Sequence, residues 1–137
     1  MRNPLQAYAQ DLGLNEHITF TGFRKDIPKI LPCLDVFLMT SKEEGLGTSV
    51  LDAFLAEVPV VATGAGGIPE MVTHQQTGML SPVGDSRSLS QNISQLLTDA
   101  GLRERLVSGA REKVRQFSKE NTAKQTLEIY ERVLNEG

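Results

Sequence analysis

Three acidic residues and two glycines lie close together between Ser41 and Phe54, and two of the acids, Glu44 and Asp52, flank the glycines. Glu44 directly precedes a Gly-Leu-Gly turn, and Asp52 follows that turn by five residues. Carboxylates accept hydrogen bonds from paired sugar hydroxyls, and glycines allow the backbone to approach a ligand closely. The combination is therefore suited to a ligand that carries sugar hydroxyl groups.

This segment is expected to lie between a buried strand at residues 35–39 and a helix that begins near Gly47. Ligands of open α/β sheets bind just past the carboxyl ends of the strands. The start of a helix offers unpaired N–H groups and the positive end of its dipole, which would hold a diphosphate without a metal. Thr48 and Asp52 share one helix face, which turns Asp52 toward the ligand. The buried face is expected to consist of Val50, Leu51, Phe54 and Leu55.

The spacing alone also fits a simpler explanation. Gly45 and Gly47 would then merely shape a turn between strand and helix, and Glu44 and Asp52 would be solvated acids favoured by the helix dipole. A single pair of glycines is a weak signal, so both interpretations are open at this level.

The remaining sequence predicts strands and helices in alternation around this segment. Apolar and β-branched runs with little alternation are typical of parallel strands that are buried on both faces. The predicted strands are residues 18–21, 35–39, 58–62 and 78–80. Helices are predicted from Pro4 to Leu12, ended by Gly13, and after Asp26, which would act as the N-cap.

The part from Asp85 onward is predicted to be helical, over residues 85–135. Gly101 is expected to separate the first two helices, and Ser118 is expected to cap the third. The third helix is expected to bury Ala123, Leu127, Tyr130 and Leu134. Together the elements predict an α/β fold, a Rossmann-like parallel sheet with flanking helices, in a single domain that spans residues 1–137.

Composition narrows the class of protein. The chain has 137 residues, 39% of them hydrophobic, and a formal net charge of −3, which favours one packed core and disfavours a broad nucleic-acid-binding surface. No apolar run approaches the ~20 residues that span a bilayer. The single cysteine, Cys33, excludes an internal disulfide and is expected to be a small buried residue. We expect a cytoplasmic protein.

Further motifs follow in order: residues 59–63 (Pro-Val-Val-Ala-Thr), residues 66–70 (Gly-Gly-Ile-Pro-Glu) and Thr77-Gly78. With the segment from Glu44 to Asp52, they resemble the retaining glycosyltransferases of the GT-B architecture, in the family that includes sucrose-, mannosyl- and lipopolysaccharide-core transferases. In that family a glutamate precedes a Gly-aromatic-Gly turn, and a second glutamate stands where Asp52 stands here. The linked matches cover most of residues 17–98 and are more specific than any one of them.

The resemblance implies that the chain is the C-terminal, donor-binding part of an enzyme that transfers a sugar from a nucleoside diphosphate sugar to an acceptor, with retention and without a metal. No cofactor is implied besides this donor substrate. Glu44 would be the catalytic candidate, in contact with hydroxyls of the transferred sugar, and Asp52 would hold the ribose. The protein would mainly stabilise charge on the departing diphosphate.

The resemblance also implies which other residues contact the donor. The implied binding residues are Gly22, Phe23, Arg24, Gly45, Leu46, Gly47, Thr48, Ser49 and Asp52. The first three would lie beside the base, and the amides of the next three would line the donor pocket. Thr48 and Ser49 would meet the diphosphate.

Two positions depart from the family pattern. Asp52 stands where the family usually has glutamate, which sets its carboxylate back by one C–C bond, about 1.5 Å. Ribose contact would then need a shift or a bridging water. Leu46 replaces the usual aromatic residue, which keeps an apolar wall but changes its shape.

The resemblance further implies regions ahead of this chain, namely two more strands of the sheet and an acceptor-binding domain. In the strand order 3-2-1-4-5-6, the segment 17–21 would be separated from 35–39 by a two-strand gap. We expect the chain alone to transfer little or no sugar. We also expect its open sheet edge to pair with another copy or to lower its stability. A peripheral association with membrane would come through the missing part.

The sequence leaves two other functions open. One is a nucleotide-sugar enzyme of another reaction type on the same scaffold, such as a 2-epimerase or a glycogen phosphorylase relative. The other is a non-catalytic module that binds a nucleotide sugar or another protein. The base, the sugar and the acceptor are not identified by the sequence.

Overall fold

The computed structural model describes residues 2–136, which form seven α-helices and three β-strands. In chain order these are α1 (Arg2–Asp11), α2 (Ile27–Ile30), β1 (Phe37–Met39), α3 (Ser49–Leu55), β2 (Val60–Thr63), α4 (Ile68–Met71), β3 (Met79–Ser81), α5 (Ser86–Thr98), α6 (Ala100–Val114) and α7 (Lys119–Glu136). Two short 3-10 helices, Leu31–Cys33 and Arg115–Phe117, continue α2 and α6.

The three strands form one parallel sheet in the order β1-β2-β3. Phe37 pairs with Val60, and Val61 pairs with Met79. Parallel neighbours need a crossover connection, and helices supply it after β1 and after β2. The predicted α/β class, with a Rossmann-like parallel sheet and flanking helices, is confirmed.

The central strand β2 is buried along its whole length and separates two apolar clusters. Val60 and Ala62 pack on one side with residues of α3 and α4, including Phe54 and Ile68. Val61 packs on the other side with Leu96, Leu102 and Leu106 of α5 and α6. Because both faces are covered, the strand needs apolar residues at every position, which explains the run without alternation.

The prediction of a strand at residues 18–21 is wrong. These residues form no strand, and Ile18 is 40% exposed. A parallel strand is stabilised by backbone hydrogen bonds to its neighbour, and within residues 2–136 the only sheet lies elsewhere in the chain. Within residues 2–136 the outer edge of β1 pairs with no strand, and Leu38 on β1 is 44% exposed.

The predicted stop of α1 at Gly13 and the predicted N-cap of α7 at Ser118 are both confirmed. Gly13 has a φ of +69°, and the N–H of the next residue, Leu14, donates to the Ala9 carbonyl at 2.9 Å. The Ser118 hydroxyl accepts from the Asn121 N–H at 3.1 Å and caps α7.

The predicted break at Gly101 is wrong, because Gly101 lies inside α6. Asp99 separates the two helices instead. It takes an extended backbone conformation, and its carboxylate accepts a hydrogen bond from the Leu102 N–H at 2.8 Å. A side-chain cap thus decides the position of the break.

Several side chains that were expected to be buried are exposed. Leu55 is 68% exposed at the end of the short helix α3, while Val50 and Phe54 are buried as predicted. The Cys33 thiol is exposed and lies 3.5 Å from the Lys29 carbonyl oxygen. The exposed apolar side of α7 includes Ala123, Leu127, Tyr130 and Leu134. The helical spacing of this side is real, but no described residue covers it.

Helix α6 contains two glycines in different surroundings. A β-carbon at Gly109 would lie 2.1 Å from the Gln76 carbonyl oxygen, whereas at Gly101 the nearest atom would be 3.5 Å away. Gly109→Ala is therefore expected to lower the free energy of unfolding by about 1–3 kcal/mol. Gly101→Ala should leave it unchanged or raise it by up to about 1 kcal/mol, because alanine favours a helix.

Urea denaturation of the two variants beside the parent measures this difference. The substitutions are chemically identical and lie in one helix, so intrinsic helix propensity does not separate them. Equal stabilities for the two variants would contradict the close approach of α6 to the loop at Gln76.

Candidate functional site

The segment between β1 and α3, residues 40–48, leaves the carboxyl end of a parallel strand as predicted. Gly47 is buried and has a φ of +64°. A β-carbon there would lie 3.0 Å from Cγ1 of Ile68 and 3.3 Å from Cγ of Glu44. Glycine is thus required for the backbone conformation and for packing, and the helix begins directly after Thr48.

A second glycine loop, residues 64–67, leaves the neighbouring strand β2 and contacts the first loop. The Gly67 N–H donates to the Gly45 carbonyl at 3.0 Å. A β-carbon at Gly66, whose φ is +51°, would lie only 1.5 Å from the Glu44 carbonyl oxygen. The two loops therefore meet backbone to backbone at one end of the sheet.

Glu44 is half-buried beside this contact, and its carboxylate is bonded within its own loop. The Ser41 hydroxyl donates to Oε2 of Glu44 at 3.0 Å. The buried Thr63 hydroxyl donates to the Ser41 carbonyl at 2.6 Å. Sequence reasoning missed both hydroxyls; the signal for Thr63 was a hydroxyl residue at the end of the apolar run of β2.

The first turn of α3 presents polar groups to solvent. Val50 and Leu51 donate the first backbone bonds of the turn, to the carbonyls of Gly47 and Thr48 at 2.9 Å. The amides of Thr48 and Ser49 precede those donors, and both residues are exposed. This end of the helix can therefore receive an anion.

Leu46 is 69% exposed between the two glycines. It lines a small cavity of about 150 Å³ together with the start of α3 and the start of α4. Phe117, at the end of the 3-10 helix after α6, also lines this cavity. Leu46 thus adds an apolar side chain to this cavity, although that side chain is mostly open to solvent.

Asp52 lies within helix α3, outside the two glycine loops. It is exposed and lines a groove of about 430 Å³ between α2 and α3. The apolar lining of the groove includes Ile27, Pro28, Leu31 and Leu55. Glu44 does not line this groove, so the structure does not bring the two acids together in it.

The loop before α2 is shaped by an ion pair. Gly22 has a φ of +70°, and Phe23 is 88% exposed. The Arg24 guanidinium donates two hydrogen bonds to the Asp26 carboxylate, at 2.8 and 2.5 Å. The predicted N-cap role of Asp26 is therefore wrong, because its carboxylate is engaged by Arg24 and makes no capping bond.

The Arg24–Asp26 ion pair also changes the pKa of Asp26. The hydrogen bonds from Arg24 lower the pKa of Asp26, so the carboxylate stays ionised to lower pH than usual. Arg24 and Phe23 do not line the groove at Asp52, although their loop leads directly into α2, which does.

The chain has two histidines, His17 and His74. Nδ1 of His74 accepts a hydrogen bond from the Leu80 N–H at 3.0 Å, and His17 is exposed. Over residues 2–136, no three side chains of histidine, cysteine, aspartate or glutamate are grouped as metal ligands. Within the same residues, no helix combines the length and apolar character that crossing a bilayer requires.

Comparison with known proteins gives consistent matches. The family described as glycosyl transferases group 1 matches residues 1–113. The chain is 34% identical over 128 residues to the N-acetyl-alpha-D-glucosaminyl L-malate synthase of Bacillus anthracis, covering 93% of this chain and 34% of that protein. It is 33% identical over 120 residues to the lipopolysaccharide core biosynthesis glycosyltransferase LpsE of Rhizobium meliloti, covering 87% and 35%.

The fold also matches solved structures. The crystal structure of Anabaena HepE in complex with UDP superimposes with a TM-score of 0.83 at 30% sequence identity. The match covers 97% of this chain and 36% of HepE. The chain therefore spans about a third of the length of the curated relatives that it matches.

The contact between the loops predicts a specific effect of substitution at Gly66. Gly66→Ala and Gly84→Ala both place a side chain at positive φ, which costs about 1 kcal/mol. A β-carbon at Gly84 meets nothing within 4 Å, whereas at Gly66 it meets the Glu44 backbone. We expect Gly66→Ala to cost about 2–3 kcal/mol more than Gly84→Ala.

Chemical denaturation gives the two free energies, and hydrogen exchange at residues 40–48 locates the disturbance. Faster exchange in that loop is expected for Gly66→Ala alone. Unchanged exchange there, or equal losses of stability in both variants, would refute the contact.

Proposed function

The chain belongs to the group 1 glycosyltransferases, and on that premise we propose that it is the part of such an enzyme that binds the nucleotide-sugar donor. The observation that carries the proposal is the meeting of two glycine loops at the carboxyl ends of adjacent parallel strands, with Glu44 beside the contact. Ligands of open α/β sheets bind at this end. The match to HepE, a protein solved with UDP, supports the same conclusion.

Glu44 is the proposed catalytic residue, in contact with the hydroxyls of the transferred sugar. Its Oε2 is occupied by Ser41, which leaves Oε1 to accept from a ligand. The amides of Gly45, Leu46 and Gly47 are proposed to line the pocket. The exposed start of α3, with Thr48 and Ser49, is proposed to receive the diphosphate.

The groove between α2 and α3 is proposed to hold the nucleoside. Asp52 on its wall would accept hydrogen bonds from the ribose, and the apolar surface from Ile27 and Leu55 would pack against the base. The loop of Gly22, Phe23 and Arg24 is proposed to lie beside the base. The support is that this loop continues directly into α2.

The proposed reaction breaks the bond between the anomeric carbon and the diphosphate oxygen and forms a bond from that carbon to an acceptor hydroxyl oxygen on the same face. The proton of the acceptor hydroxyl passes to the departing diphosphate. The departing diphosphate gains negative charge, which the helix amides stabilise. Retention and the absence of a metal are supported by the resemblance of the motifs, not by the geometry. A cytoplasmic location and a peripheral contact with membrane likewise stay proposals.

The rest of the enzyme is proposed to supply the acceptor site. The chain spans about a third of its curated relatives, and the outer edge of β1 is unpaired within residues 2–136. A second sheet edge of the same chain is the simplest partner when the remaining strands are absent. We therefore expect residues 1–137 alone to self-associate and to transfer no sugar.

Light scattering over a range of concentrations tests the self-association. Leu38→Lys, on the free edge, is expected to shift the chain toward monomer, because a charge on an edge strand opposes pairing. Leu97→Lys, at an exposed site on α5, is the control and should leave association unchanged. A strictly monomeric parent with a sharp two-state melt would contradict the expectation.

Nucleotide binding tests the donor site in the complete protein that contains this chain. UDP, GDP and ADP are compared by thermal shift, and saturation with the correct one, at about 100 times its Kd, should stabilise by about 2.7 kcal/mol. Asp52→Asn is expected to weaken that nucleotide by about ten-fold or more, since it removes a charged hydrogen-bond acceptor. Asp52→Glu restores the longer side chain of the family and should bind at least as tightly.

Glu43→Gln is the matched control, because Glu43 is an exposed acid of the same segment without a proposed contact. It should bind nucleotide like the parent. Failure of all three nucleotides to stabilise the protein would refute the proposed function. Unchanged binding in Asp52→Asn would refute the assignment of the ribose contact alone.

A further inference from the structure

Glu44 lies in a loop without regular secondary structure, yet its carboxylate and its backbone are each restrained by neighbouring groups. A loop glutamate has several rotatable bonds, and each populated rotamer would aim the carboxylate differently. Precise contact with a sugar requires that most of these rotamers be excluded in advance. The groups that exclude them lie outside the proposed ligand contacts.

Ser41 provides the direct restraint. Its hydroxyl lies 3.0 Å from Oε2 of Glu44, three residues along the same loop, and Ser41 is half-buried. Among residues 2–136, no other group donates a hydrogen bond to the Glu44 side chain. A single neutral donor thus holds one oxygen of the carboxylate, and within residues 2–136 the other oxygen accepts no hydrogen bond.

Thr63 provides the restraint on Ser41. It is 2% exposed at the end of β2, and its hydroxyl lies 2.6 Å from the Ser41 carbonyl oxygen and 3.4 Å from that of Met39. A hydroxyl donates one hydrogen, so the bond goes to the nearer carbonyl of Ser41. The loop is thereby tied to the rigid central strand of the sheet.

The backbone of Glu44 is restrained separately by the glycine loop. Gly66 lies directly against the Glu44 carbonyl, and Gly67 donates to the next carbonyl, that of Gly45. The backbone at position 44 is thus held by one loop, and the carboxylate is held by Ser41. The hold on the carboxylate depends on side chains that can be replaced without a backbone clash. The hold on the backbone does not.

We propose that Ser41 and Thr63 are positioning residues for Glu44: Ser41 orients the carboxylate toward the transferred sugar, and the buried Thr63 hydroxyl holds Ser41 in place. The proposal rests on the function proposed above for Glu44. Neither residue touches the sugar, so their effect is confined to the part of the affinity that the sugar contributes. Binding of the nucleotide itself depends on other groups.

The experiment measures, in the complete protein, how much the sugar adds to binding. Kd is determined by calorimetry for UDP and UDP-glucose, with GDP and GDP-mannose and ADP and ADP-glucose in parallel. The ratio of interest is Kd for the nucleoside diphosphate divided by Kd for the corresponding nucleotide sugar. We expect this ratio to fall by about ten-fold in each of the variants Glu44→Gln, Ser41→Ala and Thr63→Val, because each removes or misdirects a charged hydrogen bond. Kd for the nucleoside diphosphate should change by less than about two-fold.

Three further variants separate positioning from general damage. Thr63→Ser keeps the hydroxyl and should keep the ratio of the parent. Thr77→Val removes another buried hydroxyl, which donates to the Met71 carbonyl away from Glu44, and should leave the ratio unchanged. Ser41→Ala added to Glu44→Gln should lower the ratio no further, since the two residues act through one contact. If Thr63→Val does not fold, Ser41→Ala and Thr63→Ser still decide the question.

The outcomes are distinct. A lowered ratio in Glu44→Gln with a parental ratio in Ser41→Ala would overturn the positioning role and leave the proposed function intact. Equal weakening of nucleotide and nucleotide sugar in Ser41→Ala and Thr63→Val would show a structural role only and would also overturn it. A parent protein that binds no nucleotide would overturn the proposed function, and the positioning role with it.

Discussion

The backbone contact between residues 40–48 and 64–67 is the constraint on which the rest of the site depends. The Gly67 amide satisfies the Gly45 carbonyl, and Gly66 approaches Glu44 so closely that no β-carbon fits. Backbone polar groups need partners, and here the second loop supplies a donor to a carbonyl of the first. Both loops leave neighbouring strands of one sheet, so the register of β1 and β2 fixes their separation. The position of Glu44 therefore follows from the sheet, not from the local conformation of its loop.

The two acids of the site differ in how firmly they are held. Glu44 is half-buried, bonded to Ser41 and linked through Thr63 to the buried strand β2. Asp52 is exposed on the wall of an apolar groove that also involves the short helix α2. A rigid acid suits the reacting end of a ligand, where small displacements are costly. A shorter, exposed acid such as Asp52 suits the end of a ligand that is bound but does not react.

The sequence predicted the elements whose signals are local. The strands β1, β2 and β3 followed from continuous apolar runs, and Gly47 followed from its place between a strand and a helix. Strand propensity at 18–21 was not sufficient, because a strand also needs a neighbour. The spacing of α7 showed which side is apolar but not whether anything covers it. Asp26 had two possible partners, and the choice of Arg24 over the helix depends on geometry. The link from Thr63 to the 40–48 loop spans distant positions and leaves no local pattern.

A close approach of backbone to backbone also limits how such a protein can diverge. A side chain that clashes with another side chain can be accommodated by a new rotamer, but one at Gly66 would meet a main-chain carbonyl that every residue possesses. Replacement of Gly66 by any residue with a side chain is therefore disfavoured, whichever residue occupies position 44. The groove between α2 and α3 is lined by side chains such as Ile27 and Leu55, and side chains can be replaced without a change of backbone. If the groove holds the nucleoside as proposed, a lineage that changes its nucleotide would remodel this groove and keep the glycine loops unaltered.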